Sequence, residues 1–209
     1  MHPTILNAFE EILTPRRIQG RVLEIGGTAN QYALLNMSCL SGATEKLGIN
    51  LEGPGKYRDF EIIQGNANAM TMFADNSFDL ILCNAMLEHD KCFWKTIAEI
   101  RRVTRPGGLA VIGVPAYVEL AKEQRFRQTR LYRWGQRLRL TRRLFAMIDE
   151  ATVTYKVHNA PGDYYRFSEQ AVKEIFFEGY ERIELTTLMV PPRIIGIAAK
   201  KTQVMSKAA

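Results

Sequence analysis

The residues best suited to acid–base chemistry are two histidines, His89 and His158. An imidazole has an unperturbed pKa of about 6.5, so it can take a proton from a substrate hydroxyl near neutral pH. His158 also begins the segment 158–167 (HNAPGDYYRF), which gathers an acid, two phenols and a guanidinium around a Pro-Gly turn. This mixture indicates a substrate-facing loop, and a structural clasp that pairs Asp163 with Arg166 is the alternative. For His89 the alternative is an orienting role, with its ring bonded to a backbone carbonyl.

A second candidate site is the segment 22–30 (VLEIGGTAN), in which a short apolar strand runs into two glycines. Backbone N–H groups after such a turn can approach a ligand at the carboxyl edge of a sheet. Thr28 is expected to cap a helix over residues 31–35. Glu24 is a carboxylate inside an apolar strand, so it needs partners, which a ligand's ammonium or a loop of backbone amides would supply. A plain tight turn between two core elements is the alternative interpretation.

Alternating strands and helices must position these segments. A helix is predicted over residues 4–13, because its apolar residues share one face and Thr14-Pro15 stops it. Apolar runs predict strands at 22–25, 46–51, 60–63, 78–83, 109–114, 182–190 and 193–199, and a helix is predicted over 92–103. Strands that alternate with helices at this spacing indicate an α/β fold with a parallel, doubly wound sheet.

Composition narrows the class of protein. The chain has 209 residues, of which 46% are hydrophobic, and this length predicts one domain with a sizeable core. Three cysteines without regular spacing predict free thiols, and neither a zinc site nor any other metal site is predicted. No apolar run approaches the roughly 20 residues of a spanning helix. The N-terminus also lacks a secretory signal, so we expect a cytoplasmic protein. No feature predicts the oligomeric state.

Five motifs in order resemble the class I S-adenosylmethionine-dependent methyltransferases, in particular the small type-11 group. In chain order they are residues 22–27 (VLEIGG), 48–51 (GINL), 65–67 (GNA), 75–89 (DNSFDLILCNAMLEH) and 99–109 (EIRRVTRPGGL). The resemblance implies a Rossmann-like, seven-stranded, doubly wound sheet that is mostly parallel with its last strand antiparallel, together with an inserted helical cap. It also implies S-adenosylmethionine as the cofactor.

The resemblance further implies which residues hold that cofactor. Glu24 would accept from groups around the methionyl ammonium, the amides after Gly26 would hold the carboxylate, and Asn50 would bond the ribose. The implied set is Glu24, Gly26, Gly27, Thr28, Asn50, Leu51, Asn66, Ala67, Asn84, Ala85 and Met86. Asn50 and Asn66 stand where the family usually has aspartates. A neutral amide can still bond a ribose diol, and Glu52 is an alternative ribose partner.

The segment 158–167 resembles a signature found in enzymes associated with saccharide and natural-product methylation. We therefore expect O-methylation of a hydroxyl of a small saccharide or secondary metabolite, with His158 or His89 as the base and His158 slightly preferred. The predicted acceptor residues are Tyr117, Asp163, Tyr164, Tyr165 and Arg166. N- or carboxyl-methylation of a small metabolite is the alternative reaction, and a binding module without catalysis is the alternative outside enzymes. Residues 84–87 (NAML) lack the Pro-Pro-aromatic run that grips a flipped base, which argues against nucleic acid as acceptor.

The positive charge is concentrated in one segment. Residues 121–143 contain nine Lys or Arg and one acid, so the rest of a chain with formal charge +6 carries −2. Apolar residues at helical spacing predict a basic helical cap at about 116–157, inserted into a single domain spanning 1–209. The cap is interpreted as a lid with a solvated outer face, or as a contact for an anionic or carrier-tethered small-molecule acceptor. Peripheral contact of Arg130–Arg143 with an anionic membrane, or with nucleic acid, is the least favoured interpretation.

Overall fold

The computed structural model describes residues 2–119, 129–137, 141–149, 151–154, 162–189 and 192–202. Its strands are β1 (Gly20–Ile25), β2 (Ala43–Asn50), β3 (Gly55–Tyr57), β4 (Phe60–Gln64), β5 (Phe78–Asn84), β6 (Thr104–Pro115), β7 (Val118–Glu119), β8 (Thr152–Val153), β9 (Tyr180–Met189) and β10 (Pro192–Lys200). Eight of them form one sheet in the order β3-β4-β2-β1-β5-β6-β10-β9, and β7 pairs with β8 separately.

The strand directions confirm the predicted sheet. The strands β4, β2, β1, β5 and β6 are parallel neighbours, and their carboxyl ends therefore meet at one edge. The last strand, β10, is antiparallel to both β6 and β9 and lies between them. Apart from β10 on one side and β3 at the opposite edge, which run antiparallel to the other strands, this is a doubly wound α/β sheet. Its ligand sites are expected outside the carboxyl ends of the parallel strands.

The sheet has eight strands instead of the predicted seven, because a short hairpin adds β3 to its edge. The strand β3 pairs antiparallel with β4 through a turn at Arg58 and Asp59. Arg58 has a positive φ of 51°, and the Lys46 amine lies 2.6 Å from the Asp59 carboxylate, which holds the turn. The three-residue strand has no alternating apolar pattern, so the sequence showed only the Gly-Pro-Gly turn that precedes it.

The helices of the described residues are α1 (Pro3–Leu13), α2 (Phe93–Val103), α3 (Arg130–Arg137), α4 (Arg142–Asp149) and α5 (Glu169–Ala171), which continues as a π-helical turn (Val172–Phe176). Helix α1 packs in the core on one face of the sheet, and α2 packs in the core on the other face. The strand β1 contributes to a hydrophobic core on each face of the sheet. Leu23 and Ile25 pack on the α2 side, and Val22 packs on the α1 side. Burial on both faces explains why these strands read as continuous apolar runs.

The predicted helix over residues 31–35 is wrong. The segment after β1 instead forms turns and two short 3₁₀ helices, Leu34–Asn36 and Ser38–Leu40. The Asn30 side chain accepts from the Tyr32 N–H at 2.8 Å, which closes a local turn that competes with helix formation. The N–H groups of Leu34 and Leu35 donate to the Glu24 carboxylate instead of to helical carbonyls. The buried acid therefore sets the backbone path of this crossover.

The region of the predicted cap contains α3 and α4, which contact each other. The Thr141 hydroxyl donates to the Gly135 carbonyl at 2.7 Å and links the start of α4 to α3. The pairing of β7 with β8 brings the two ends of this region together. The role of the region as a lid stays a prediction. Within the described ranges, no helix is long and apolar enough to cross a membrane.

Candidate active site

Four parallel strands end around one cavity of about 340 Å³ at the carboxyl edge of the sheet. Its lining residues are Gly26, Ile49, Asn50, Leu51, Gly65, Asn66, Ala67, Asn68, Met86, His89, Asp90 and Lys91. The cavity thus brings together seven of the predicted site residues, which come from four separate strand ends. A wider depression of about 490 Å³ at the opposite edge is lined by arginines such as Arg16 and Arg105, which form ion pairs with Glu184 and Asp79.

Gly26 forms the turn that opens the cavity. Its φ is +76°, and a Cβ at this position would lie 2.8 Å from the Cγ of Met86. Its N–H donates to the Ile49 carbonyl at 2.8 Å, which ties the turn to β2. Met86 is placed by Ala85, which adopts a positive φ of 53° and donates its N–H to the Gly113 carbonyl at 3.0 Å. Only glycine satisfies both the backbone conformation and the close approach of Met86.

Asn50 is tied to the glycine turn. Its Nδ2 donates to the carbonyls of Gly27 at 2.9 Å and Gly26 at 3.4 Å, and its Oδ1 accepts from the Glu52 N–H at 3.2 Å. An aspartate here would direct a carboxylate oxygen at two carbonyl oxygens, which repel it. These two bonds need the amide of Asn50, and a bond from Asn50 to a ribose stays a prediction.

The wall around Asn66 contains residues that the sequence did not single out. The Asp90 carboxylate accepts from Asn68 Nδ2 at 2.6 Å, from the Thr96 hydroxyl at 2.7 Å and from the Cys92 N–H at 2.9 Å. Asn66 Oδ1 accepts from the Asn68 N–H at 2.9 Å and closes a turn that contains Ala67. Asp90 therefore fixes the cavity wall and the start of α2 together. The signal in the sequence was an Asp placed just before a predicted helix.

Glu24 lies beneath the turn and is only 6% exposed. Its two carboxylate oxygens accept from the N–H groups of Leu34 at 3.1 Å and Leu35 at 3.2 Å. Burial raises the pKa of Glu24 to about 7, and the two amide hydrogen bonds oppose that rise. A Cβ on Gly27 would lie 3.2 Å from the Glu24 carboxyl carbon, so the carboxylate packs directly under the turn. Thr28 is exposed beside it.

The two candidate bases have different outcomes. His89 ends a 3₁₀ turn (Leu87–His89), donates its N–H to the Met86 carbonyl at 2.9 Å and lines the cavity. His158 lies outside the described residues. Its assignment as a base therefore stays a prediction.

The predicted acceptor segment packs against the turn that carries His89. The Tyr164 N–H donates to the Glu88 carbonyl at 2.8 Å, and the Tyr165 hydroxyl donates to the Lys91 carbonyl at 3.0 Å. Arg166 forms a two-pronged ion pair with Asp163, which raises the pKa of Arg166. This is the pairing of the clasp interpretation. Tyr117 and Tyr164 remain exposed, and contact with an acceptor stays a prediction.

A buried charged group beside this turn was missed by the sequence reasoning. Glu88 is fully buried, and neither of its carboxylate oxygens has a hydrogen-bond partner in the described part of the chain. Arg193 is 9% exposed, and its positive charge is attracted by the carboxylate of Glu88. Its Nη1 donates to Asn84 Oδ1 at 3.1 Å and to the Gly113 carbonyl at 3.4 Å, but its Nε is unpartnered among the described residues.

Burial raises the pKa of Glu88, and its own backbone N–H and the charge of Arg193 oppose that rise. Burial lowers the pKa of Arg193, and the charge of Glu88 opposes that shift. Buried polar atoms without partners are rare in folded proteins, so this pair of groups is unusual. The sequence signal was the arginine at the start of the apolar strand β10. In the ranges that the structure describes, no cluster of His, Cys, Asp and Glu could hold a metal ion.

The amino-acid sequence is similar to those of known methyltransferases. Residues 23–112 match the family model described as a methyltransferase domain. Over 96 residues, or 44% of this chain, the sequence is 39% identical to a demethylmenaquinone methyltransferase of Renibacterium salmoninarum, and the match covers 40% of that protein. The chain therefore matches less than half the length of this curated relative.

Solved structures share the fold. A Haemonchus contortus phosphoethanolamine N-methyltransferase 2, in complex with phosphomonomethylethanolamine and S-adenosylhomocysteine, superimposes with a TM-score of 0.59 at 14% identity, covering 96% of this chain and 53% of that one. A SAM-dependent methyltransferase from Methanosarcina mazei superimposes with a TM-score of 0.53 at 18% identity, and the match covers 97% of this chain and 99% of that one. At these identities the likeness shows the fold alone. Together with the matched segment, it confirms the resemblance found in the sequence motifs.

Proposed function

We propose that this chain, whose sheet and matched segment are those of the class I S-adenosylmethionine-dependent methyltransferases, binds that cofactor and methylates a hydroxyl of a small saccharide or secondary metabolite. One observation carries the proposal. The glycine turn after β1, Asn50 after β2, Asn66 and Ala67 after β4, and Met86 after β5 line the same cavity. Parallel α/β sheets bind ligands at this edge.

The lining of the cavity fits the cofactor. Ile49, Leu51 and Met86 offer an apolar surface for a flat base, while Asn66 and Asn68 offer polar groups for its edge. The Gly26 turn lets backbone approach the amino-acid part, and Asn50 holds that turn closed. When bound, S-adenosylmethionine would supply an electrophilic methyl group. The chain's own residues would align the acceptor, exclude water and hold the acceptor's proton.

The acceptor's proton would pass to a histidine. His89 lines the cavity beside Met86, and His158 belongs to the segment whose described part packs on the same turn. A positioned base contributes about 10²–10⁴-fold to such a reaction.

A second candidate reaction is the methylation of an amine nitrogen, since the fold is shared by a phosphoethanolamine N-methyltransferase from Haemonchus contortus. Transfer to a panel of hydroxylated saccharides and simple amines distinguishes the two reactions. Methyl transfer to amines alone would contradict O-methylation.

The first experiment is calorimetric titration with S-adenosylmethionine and S-adenosylhomocysteine. Binding of both at micromolar concentration supports the proposal, and the absence of binding contradicts it. Once an acceptor is found, His89→Ala and His158→Ala should be compared. The variant that lacks the base should keep its affinity for S-adenosylhomocysteine and lose about 100-fold in turnover. If neither variant loses turnover, a histidine base is excluded.

A further inference from the structure

The helices α3 and α4 present large apolar side chains to solvent. Leu131 and Trp134 on α3 are 67% and 60% exposed, and Leu144 and Met147 on α4 are 56% and 69% exposed. Each pair is spaced three residues apart, so its members share a helix face. The two helices contact each other, which brings the faces into one region. Apolar groups of this size in one region indicate an interaction surface.

The same two helices carry a strong positive charge. Their sequences contain five arginines, all exposed, and a single acid, Asp149. The arginines are Arg130, Arg133, Arg137, Arg142 and Arg143. On α3, Arg130 and Arg137 are four and three residues from Trp134, a spacing that makes them its neighbours on the helix surface. A partner of this surface must therefore combine negative charge with an apolar interior.

We propose that α3 and α4 dock this protein on an anionic lipid membrane. This inference does not depend on the proposed function. A helix of eight residues is about 12 Å long, too short to cross a hydrocarbon layer of about 30 Å, so both helices would lie in the plane of the interface. Leu131, Trp134, Leu144 and Met147 would enter the acyl boundary, and the arginines would contact lipid phosphates.

The apolar residue types favour lipid over nucleic acid. Single-stranded nucleic acid binds to basic surfaces through aromatic side chains that stack on bases, whereas Leu and Met cannot stack. Tryptophan is enriched where apolar and polar phases meet, as in a membrane interface.

The test is co-sedimentation of the whole protein with vesicles of phosphatidylcholine alone or mixed with phosphatidylglycerol. Binding should require phosphatidylglycerol and should be lost in about 1 M salt, where charges are screened within about 3 Å. A single-stranded RNA probe is measured in parallel. Binding of RNA without vesicle binding overturns the proposal, as does equal binding to neutral vesicles or binding to neither probe.

Variants locate the contact. The double variant Arg133→Gln/Arg137→Gln should weaken vesicle partitioning roughly 20-fold, because each arginine near an anionic surface contributes about fivefold. The control is Lys173→Gln/Ile175→Ala, which removes one exposed cation and one exposed aliphatic group from the turn after α5. Equal weakening by the two double variants overturns the assignment to α3 and α4. Circular dichroism of each variant shows whether it is folded.

Fluorescence provides a measurement that leaves the surface intact. The chain has two tryptophans, so Trp94→Phe leaves Trp134 as the single reporter. On phosphatidylglycerol vesicles its emission should shift to shorter wavelength and resist acrylamide quenching. An unshifted and fully quenchable Trp134 on vesicle-bound protein overturns the proposal.

Discussion

The two halves of the carboxyl edge differ in how their polar groups are satisfied. Around the ends of β1, β2 and β4, Glu24, Asn50 and Asn66 are hydrogen-bonded to nearby backbone. Around the ends of β5 and β10, Glu88 and the Nε of Arg193 are buried without partners in the described ranges. The first half is organised before any ligand arrives. The second half holds buried charged groups with incomplete hydrogen bonding, which costs stability.

The largest expected effect concerns Glu24 and the pH dependence of stability. Its pKa rises from 4.5 to about 7 on folding, so the unfolded chain ionises first as pH rises. Stability from this group is complete below pH 4.5 and is lost as pH rises toward 7, by about 3 kcal/mol. Glu24→Gln should remove this loss, and urea unfolding of both proteins from pH 4 to about 7.5 measures the difference.

In Glu24→Gln the side-chain NH₂ group replaces an oxygen that accepts a hydrogen bond from a backbone N–H. The lost hydrogen bond costs the same stability at every pH. Only the difference in slope is therefore diagnostic. Parallel stability–pH curves for the two proteins would show that the Glu24 carboxyl is not strongly desolvated. The contrast between the two halves of the carboxyl edge would then no longer include Glu24.

The next effect concerns the close approach at Gly26. Gly26→Ala combines a positive φ with a contact of 2.8 Å to Met86, so we expect the affinity for S-adenosylhomocysteine to fall by about 30-fold, or roughly 2 kcal/mol. Gly107→Ala is the matched control, since Gly107 has the same φ of +76° with nothing within 4 Å of its Cβ position. The control should lose stability and keep its affinity. Equal affinity of the two variants for S-adenosylhomocysteine would show that the Gly26 turn does not contribute to ligand binding.

The smallest effect concerns Glu88. Burial raises its pKa and its oxygens lack partners, so Glu88→Gln should leave the free energy of unfolding at pH 7 unchanged or raise it by about 1 kcal/mol. Glu99→Gln is expected to act in the opposite direction, because the Glu99 carboxylate accepts from the Met70 N–H at 2.6 Å and from Arg102 at 2.8 Å. Thermal unfolding compares them. Clear destabilisation by Glu88→Gln would mean that Glu88 is a structural group.

The sheet was predictable because its inner strands are buried on both faces. Such strands appear as continuous apolar runs, and the glycines and asparagines that follow them mark the ligand edge. The sequences around Gly26, Asn50 and Met86 therefore led to the right edge of the sheet. The cavity that joins them follows from parallel pairing, which alternation with helices predicts.

The rest depended on contacts that are distant in the chain. Glu24 redirects the amides of residues ten and eleven positions later, which turned the predicted helix over 31–35 into short turns. Arg193 reaches Asn84 across 109 positions, so neither its burial nor that of Glu88 could be seen in a local pattern. The carbonyl partners of Asn50 likewise became visible only when the turn was folded.

The position of β10 has a consequence for synthesis of the chain. The ribosome makes β9 before the strand that connects it to the sheet, because β10 follows β9 in sequence and lies between β6 and β9 in space. Until residues 192–200 have emerged, β9 has no neighbour and β6 exposes an open hydrogen-bonding edge. Nascent chains paused at this stage would present an aggregation-prone template, so chaperones would be needed most during the interval before the final strand inserts.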